Sequence, residues 1–133
     1  MTGIEARVRS LPGTAAAVGT SGRHSVVVDR PDGVAGGAGL GFNGGQLLAL
    51  AVGGCLANDL RCAAHARGVE LEALEVRVEV DVEDGRVTGA DVDVRVSAGD
   101  GVDTGALVRA ALEASTVLAA VRTGFAVRLP GAG

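Results

Sequence analysis

The stretch Gln46-Leu-Leu-Ala-Leu-Ala-Val-Gly-Gly-Cys55-Leu56 is an almost unbroken apolar run that surrounds a thiol. A helical pattern extends from it over residues 46–67, and Gly68 predicts the C-terminal stop. Glycine inside a helix costs roughly 1 kcal/mol relative to alanine, so Gly53 and Gly54 predict that a partner helix or a substrate approaches the backbone closely. One stripe of this helix is predicted to carry Leu48, Val52, Cys55, Asp59 and Cys62.

Short β-prone segments and turns precede the long helix. Pro12-Gly13 and Ser21-Gly22 mark the turns between three predicted strands. These strands form a meander over residues 4–9, 15–20 and 24–30. Residues 31–45 contain seven glycines and one proline, which predicts a loop that leads into the helix.

A β-hairpin is the clearest prediction in the second half of the chain. Valines alternate with charged residues over residues 76–82 and 86–96, as in strands with one covered and one solvated face. Asp84-Gly85 supplies the two residues of a type I′ turn between them.

A second helix is predicted from Asp103 or Thr104 to residue 123, with Gly124 as its stop. Its apolar stripe consists of Val108, Leu112, Ser115 and Ala119. A last strand at residues 125–129 completes the order of three strands, helix, two strands, helix and strand. This order predicts one α+β domain over residues 1–133, with antiparallel sheets and two helices.

Composition excludes several classes of function. The chain has 133 residues, two of them aromatic, and a net charge of -4 without a basic cluster, so neither base stacking nor a phosphate-binding surface is expected. All twelve basic residues are arginine, which excludes a lysine nucleophile. His24 and His65 stand apart without ligand-spaced neighbours, so no metal site and no cofactor are predicted.

The N-terminal residues mix charges and lack an apolar signal region, so a cytoplasmic location is expected. The apolar run Leu47 to Leu56 is about half of the ~20 residues that a membrane helix needs, so no membrane association is expected. Two cysteines in such a chain are predicted to be reduced thiols.

The chain resembles the OsmC/Ohr superfamily of osmotically induced and organic-hydroperoxide-resistance proteins. The resemblance lies in Gly41-Phe-Asn-Gly-Gly followed by the run to Cys55, in Leu56-Ala-Asn-Asp-Leu60, in the valine hairpin and in Phe-Ala-Val-Arg-Leu129. It implies an intertwined homodimer with both long helices at its centre and a reactive thiol at the subunit boundary. Family enzymes reduce organic hydroperoxides with two cysteines, an arginine and a glutamate.

Residue by residue, the resemblance places Cys55 at the attacking thiol and Ser115 at the resolving cysteine. The family's glutamate falls on Gly45, next to Gln46, and its arginine is most nearly matched by Arg23. The resemblance therefore implies catalytic roles for Cys55 and Arg23, and a disulfide with residue 115 is impossible.

Peroxide reduction needs a thiolate, which Arg23 is predicted to stabilise together with the leaving oxygen. Asp59 would oppose the thiolate if it lies one turn away. It is also free to face solvent, to pair with Arg61 or to pair with an arginine of the partner subunit. Cys62 lies seven residues beyond Cys55, about 10 Å along a helix, which exceeds the ~7 Å Cα separation of a disulfide. Recycling is therefore predicted through Cys62 of the partner subunit or an external thiol.

Two functions remain open from the sequence, so whether the chain is an enzyme is undecided. The first is reduction of an apolar organic hydroperoxide, with a substrate pocket lined by Leu47, Leu48, Val52 and Leu56. The second is a non-catalytic homodimer that binds a small apolar or electrophilic ligand. A separate alternative for Cys55 and for Cys62 is that each thiol only fills space in the core as a small hydrophobe.

Overall fold

A computed structural model describes residues 2–129 of the chain. These residues form five strands and three helices, with the strands in two antiparallel sheets, so the predicted α+β class is confirmed. The structure divides into two compact units, Met1–Leu48 and Ala49–Gly133.

The first unit contains the predicted meander. Its strands are β1 (Arg7–Ser10), β2 (Ala17–Ser21) and β3 (His24–Val28), in the sheet order β1-β2-β3. Gly22 has a φ of 59° in the tight turn between β2 and β3, a conformation that glycine adopts without steric cost. The strands begin and end within three residues of the predicted bounds, because turn residues fix strand ends only approximately.

The loop after β3 is organised by the buried carboxylate of Asp29. This side chain has no exposed surface, and its Oδ2 accepts hydrogen bonds from the backbone N–H groups of Ala38 and Leu40, both at 3.1 Å. The Leu40 N–H contributes most to holding the pKa of Asp29 below its ordinary value of 3.8. The N–H groups of Ala38 and Arg30 and the Arg30 guanidinium act in the same direction, whereas burial opposes them.

Gly41 allows the same loop to return against β3. A Cβ at this position would overlap the backbone carbonyl of Val27, and Phe42 forms a parallel bridge with Val28. Only glycine lets two backbones approach this closely.

Helix α1 (Gly44–Ala66) begins with a reciprocal capping box. The N–H of Gln46 donates to Asn43 Oδ1 at 2.9 Å, and the N–H of Asn43 donates to Gln46 Oε1 at 3.0 Å. The helix ends before Gly68, which has a φ of 64° and confirms the predicted stop.

The buried face of α1 differs from the predicted stripe. Buried positions recur every four residues, at Val52, Leu56, Leu60 and Ala64. Of the predicted stripe only Val52 is buried, whereas Cys55 and Asp59 are half-buried and Cys62 is exposed. The predicted stripe was wrong, because it is displaced by about one residue from the buried face. Residues three apart and residues four apart both lie on similar sides of a helix, so the sequence alone does not decide which of two neighbouring stripes is buried.

The length of α1 also differs from the expectation based on its apolar run. The 23-residue helix is long and apolar enough to cross a membrane, a property that core helices of soluble proteins share. Of the residues in the 18-residue stretch of α1 that meets this test, hereafter the α1 window, only 28% are buried within the chain.

The valine hairpin is formed as predicted, by β4 (Leu71–Glu83) and β5 (Arg86–Ala98). Asp84 and Gly85 have φ values of 51° and 74°, as a type I′ turn requires. Val76 pairs with Val94, and the charged residues between the valines are exposed. The covered face of the hairpin packs partly against the helices of this unit.

The predicted second helix is divided into α2 (Thr104–Ala114) and α3 (Thr116–Thr123), bent by 57° at Ser115. Ser115 is both the C-cap of α2 and the N-cap of α3, where its Oγ accepts the N–H of Leu118 at 3.2 Å. Serine favours a cap because its hydroxyl competes for backbone hydrogen bonds.

The break also corrects the predicted apolar stripe. Leu107, Ala111 and Ser115 are the buried positions, whereas Leu112 is 40% exposed and Ala119 belongs to α3. Asp103 caps α2 by accepting the N–H of Ala106 at 3.1 Å, which confirms the predicted start.

The core of the second unit lies between α1, α2 and the hairpin. Its buried members are Leu60, Ala64, Leu107 and Ala111, all no more than 2% exposed. Partly buried aliphatic side chains surround them, namely Ala63, Val69, Leu71, Leu74, Val76, Val94, Val102 and Val108.

The last predicted strand is not formed in the single chain. Residues 125–129 follow Gly124 without regular structure, and Phe125, Val127 and Leu129 are 74%, 70% and 72% exposed. Alternation of apolar residues predicts a strand only when the edge of another strand is available. No strand within residues 2–129 pairs with this segment.

Candidate functional site

The sulfur of Cys55 lies where α1 meets the junction between α2 and α3. The hydroxyl of Ser115 donates a hydrogen bond to Cys55 Sγ across 3.4 Å. Ser115 is 2% exposed and Cys55 is half-buried, so the contact lies at the border of the interior. The same Ser115 oxygen accepts the N–H of Leu118, which fixes the hydroxyl in position.

Asp59 contacts the sulfur from the next turn of α1. Its Oδ2 lies 3.5 Å from Cys55 Sγ, as expected for side chains four residues apart on one helix. The carboxylate accepts and the thiol donates, so the sulfur has an acceptor on one side and the Ser115 donor on the other. Within residues 2–129, no basic nitrogen lies within 4.0 Å of the Asp59 carboxylate, so the alternative pairing with Arg61 is not formed.

The glycines before Cys55 have different surroundings. A Cβ on Gly53 would lie 3.3 Å from Cγ2 of Val78, so this glycine allows α1 to pack closely on β4. The expectation that a partner helix or a substrate accounts for both glycines is corrected for Gly53, where the hairpin is the close neighbour. Gly54 faces open space, since a Cβ at this position would meet no atom of residues 2–129 within 4 Å apart from its chain neighbours and the adjacent backbone of α1.

The other predicted site residues have surroundings of their own. Arg23 is exposed in the turn between β2 and β3, and Gln46 is engaged in the capping box of α1. Cys62 is exposed and free. Leu47 is half-buried and Leu56 is 1% exposed, so the side chain of Leu56 belongs to the interior of the chain.

Of these residues, the structure brings Cys55, Asp59 and Ser115 together. The sequence places Cys55 and Asp59 one turn apart, and the pair Ser115-Thr116 inside a helical pattern signals a break. The direct contact between Ser115 and the thiol, 60 positions away in the chain, is visible only in the tertiary structure.

Residues 36–129 match the OsmC-like protein family. The chain belongs to this family. The chain is also similar to solved structures. One of them, an OsmC-like protein of Mycoplasma pneumoniae, has a TM-score of 0.76 and is 10% identical in sequence. That alignment covers 92% of this chain and 89% of the other.

Two further proteins of similar structure bear the name organic hydroperoxide resistance protein. OhrB of Bacillus subtilis is 26% identical, with a TM-score of 0.59 over 92% of this chain and 93% of its own. A Vibrio cholerae protein of the same description, with captopril bound in one of its active sites, is 21% identical. Its TM-score is 0.59, over 93% of this chain and 87% of its own. The chain has no significant match among curated protein sequences.

Proposed function

We propose that the protein reduces organic hydroperoxides in a cycle that uses Cys55 as the attacking thiol. The hydrogen bond from Ser115 Oγ to Cys55 Sγ carries this proposal. A donor that points at sulfur stabilises negative charge there, which favours the thiolate that attacks peroxide. The family membership and the hydroperoxide resistance proteins among its structural relatives support the same chemistry.

In the first step, the sulfur attacks the terminal oxygen of the hydroperoxide, ROOH. An S–O bond forms, the O–O bond breaks, and the alkoxide RO⁻ leaves and takes up a proton to become the alcohol. Cys55 is oxidised to a sulfenic acid, and the hydroperoxide is reduced to the alcohol. No cofactor takes part in this step.

Recycling must come from a second thiol, because the Ser115 hydroxyl cannot form a disulfide. A reduced thiol attacks the sulfenic sulfur, releases water and leaves a mixed disulfide. A further thiol exchange returns Cys55 to its reduced form. We propose a small external thiol, or Cys62 of the partner subunit, as the resolving group.

The remaining predicted roles are part of the same proposal. The Arg23 guanidinium stabilises the thiolate and the leaving oxygen, whereas Leu47 and Leu56 contribute to an apolar substrate pocket.

We further propose that the active species is a cytoplasmic homodimer. Three apolar surfaces support a second copy: the largely unburied α1 window, helix α3, which has no buried residue, and the exposed segment 125–129. Burial of such surfaces between two copies would stabilise the dimer. Light scattering on the purified protein, with a mass of twice 13.1 kDa, tests this assembly.

A second candidate function is binding of a small apolar or electrophilic ligand without peroxide reduction. The position of Asp59 favours it, because a carboxylate 3.5 Å from the sulfur opposes the formation of a thiolate. The captopril bound to the Vibrio cholerae relative makes a small organic ligand a reasonable probe of this alternative.

Intact mass after one equivalent of cumene hydroperoxide separates the two functions. Reduction predicts rapid addition of one oxygen in Cys62→Ser, trapped by dimedone, and no addition in Cys55→Ser. In wild type it predicts the same addition if an external thiol resolves the sulfenic acid, or a covalent dimer if Cys62 of the partner subunit does. If wild type remains unmodified over minutes while its thiols react with a maleimide, peroxide reduction is wrong. Ligand binding would then be measured by calorimetry with captopril.

A further inference from the structure

We propose that Asp59 is a catalytic residue that takes the proton from the Cys55 thiol and delivers it to the leaving alkoxide. This inference rests on the proposed hydroperoxide reduction and adds a proton path to it. General acid and base groups of this kind contribute about 10²–10⁴-fold to a rate.

The geometry around the sulfur divides the two polar neighbours by role. Asp59 Oδ2, at 3.5 Å, is an acceptor for the thiol proton, whereas the Ser115 hydroxyl, at 3.4 Å, donates to the sulfur. The Ser115 oxygen is already occupied by the Leu118 N–H at 3.2 Å. Asp59 is therefore the better acceptor for the proton that the sulfur must lose.

The Asp59 carboxylate is also available for this role. Among the residues that the structure describes, no arginine or histidine nitrogen forms an ion pair with it. Its hydrogen-bonding contact is with Cys55 on its own helix, and the side chain that faces the sulfur from the α2–α3 junction is the uncharged Ser115. The thiol of Cys55 is therefore the hydrogen-bond donor that the structure places on this carboxylate.

The proposed step balances in atoms and charge. As the sulfur attacks the terminal oxygen of ROOH, the S–H proton moves to Asp59 Oδ2 and the O–O electron pair leaves with RO⁻. Asp59 then returns the proton to RO⁻, which gives ROH and the Cys55 sulfenic acid. The carboxylate begins and ends the step ionised, and the hydroperoxide is the oxidant.

Two electrophiles distinguish this role from simple repulsion of the thiolate. Cumene hydroperoxide loses an alkoxide that needs a proton, whereas iodoacetamide loses iodide, which needs none. Removal of the negative charge should accelerate reaction of the thiolate with iodoacetamide. The same removal should slow reaction with the hydroperoxide, because the returned proton is lost.

The experiment compares both rates at Cys55 in Asp59→Asn, Asp59→Glu and wild type, all in the Cys62→Ser background and at one pH. We expect Asp59→Asn to lower the hydroperoxide rate at least tenfold while its iodoacetamide rate stays equal or rises, and Asp59→Glu to recover part of the hydroperoxide rate. Asp91→Asn, which removes an exposed charge on β5, is the matched control and should change neither rate more than about twofold.

The outcomes separate this inference from the proposed function. If the hydroperoxide oxidises wild-type Cys55 but Asp59→Asn accelerates both reactions together, Asp59 only repels the thiolate and the proton path is wrong. If wild-type Cys55 is not oxidised at all, hydroperoxide reduction itself is wrong. Thermal unfolding followed by circular dichroism establishes that each variant is folded before its rates are compared.

Discussion

Ser115 Oγ and Cys55 Sγ form a hydrogen bond of 3.4 Å between residues that are 60 positions apart in the chain. The serine stands where the family resemblance places a resolving cysteine. The helix break that positions Ser115 also directs its hydroxyl at the thiol. The two side chains are in contact, but Ser115 supplies a hydroxyl and not the second sulfur that a disulfide needs.

Replacement of this serine should restore an intramolecular disulfide. We expect Ser115→Cys, in the Cys62→Ser background, to form a bond with Cys55 after mild oxidation, because the side chains already touch and a disulfide needs an S–S distance of about 2.0 Å. Non-reducing mass spectrometry of tryptic peptides measures the link. Persistence of two free thiols under oxidant would show that the backbones are held too far apart.

Loss of the Ser115 hydroxyl should weaken the fold as well as the site. Ser115→Ala removes the N-cap of α3, so we expect it to lower the free energy of unfolding by about 1 kcal/mol. Urea denaturation measures the change, with Thr116→Ala as the exposed neighbouring control. Equal stability of the two variants would mean that the Leu118 hydrogen bond contributes little.

The free energy of unfolding should decrease in acid, because Asp29 becomes protonated there. Because its folded pKa lies below the ordinary 3.8, the ionised carboxylate stabilises the fold fully at pH values well above 3.8. This contribution is lost as the pH falls below 3.8 and through the folded pKa.

Denaturation midpoints of wild type and Asp29→Asn between pH 2 and pH 7 test this dependence. We expect the variant to be less stable near neutral pH, since an amide offers fewer acceptors to the N–H groups of Ala38 and Leu40. The difference between the two proteins should shrink in acid. A difference that stays constant over the whole range would contradict the role assigned to the charge.

The core of the second unit should depend strongly on Leu60. This side chain is 0% exposed among aliphatic neighbours, so we expect Leu60→Ala to cost about 2–5 kcal/mol of unfolding free energy. Val87→Ala, at a position 54% exposed on the hairpin, should change stability by about 0.5 kcal/mol or less. Similar midpoints for both variants in urea would contradict the assignment of the core.

Local signals predicted most of the secondary structure. The type I′ turn at Asp84-Gly85, the stop at Gly68 and the cap at Asp103 each depend on a few adjacent residues, and each is present in the structure. The same holds for the α+β class, since the order of helices and strands follows from these elements.

The sequence pattern failed where the outcome depends on distant residues. Residues 125–129 have the alternation of a strand, but no other strand within residues 2–129 pairs with them. The stripes of α1 and α2 were displaced by about one residue, because the side that faces the core is decided by the elements packed there. The apolar pattern predicts one continuous helix over residues 104–123, whereas the structure has two helices separated at Ser115.

The sequence by itself determined that Cys55 lies in a helix directly after two glycines, with Asp59 one turn further along. Helical periodicity is sufficient for that result, since residues four apart lie on one side of a helix. Only the tertiary structure decided that Ser115 donates to this thiol and that Gly53 makes room for Val78. Both contacts join residues far apart in the chain, so they depend on how whole elements pack.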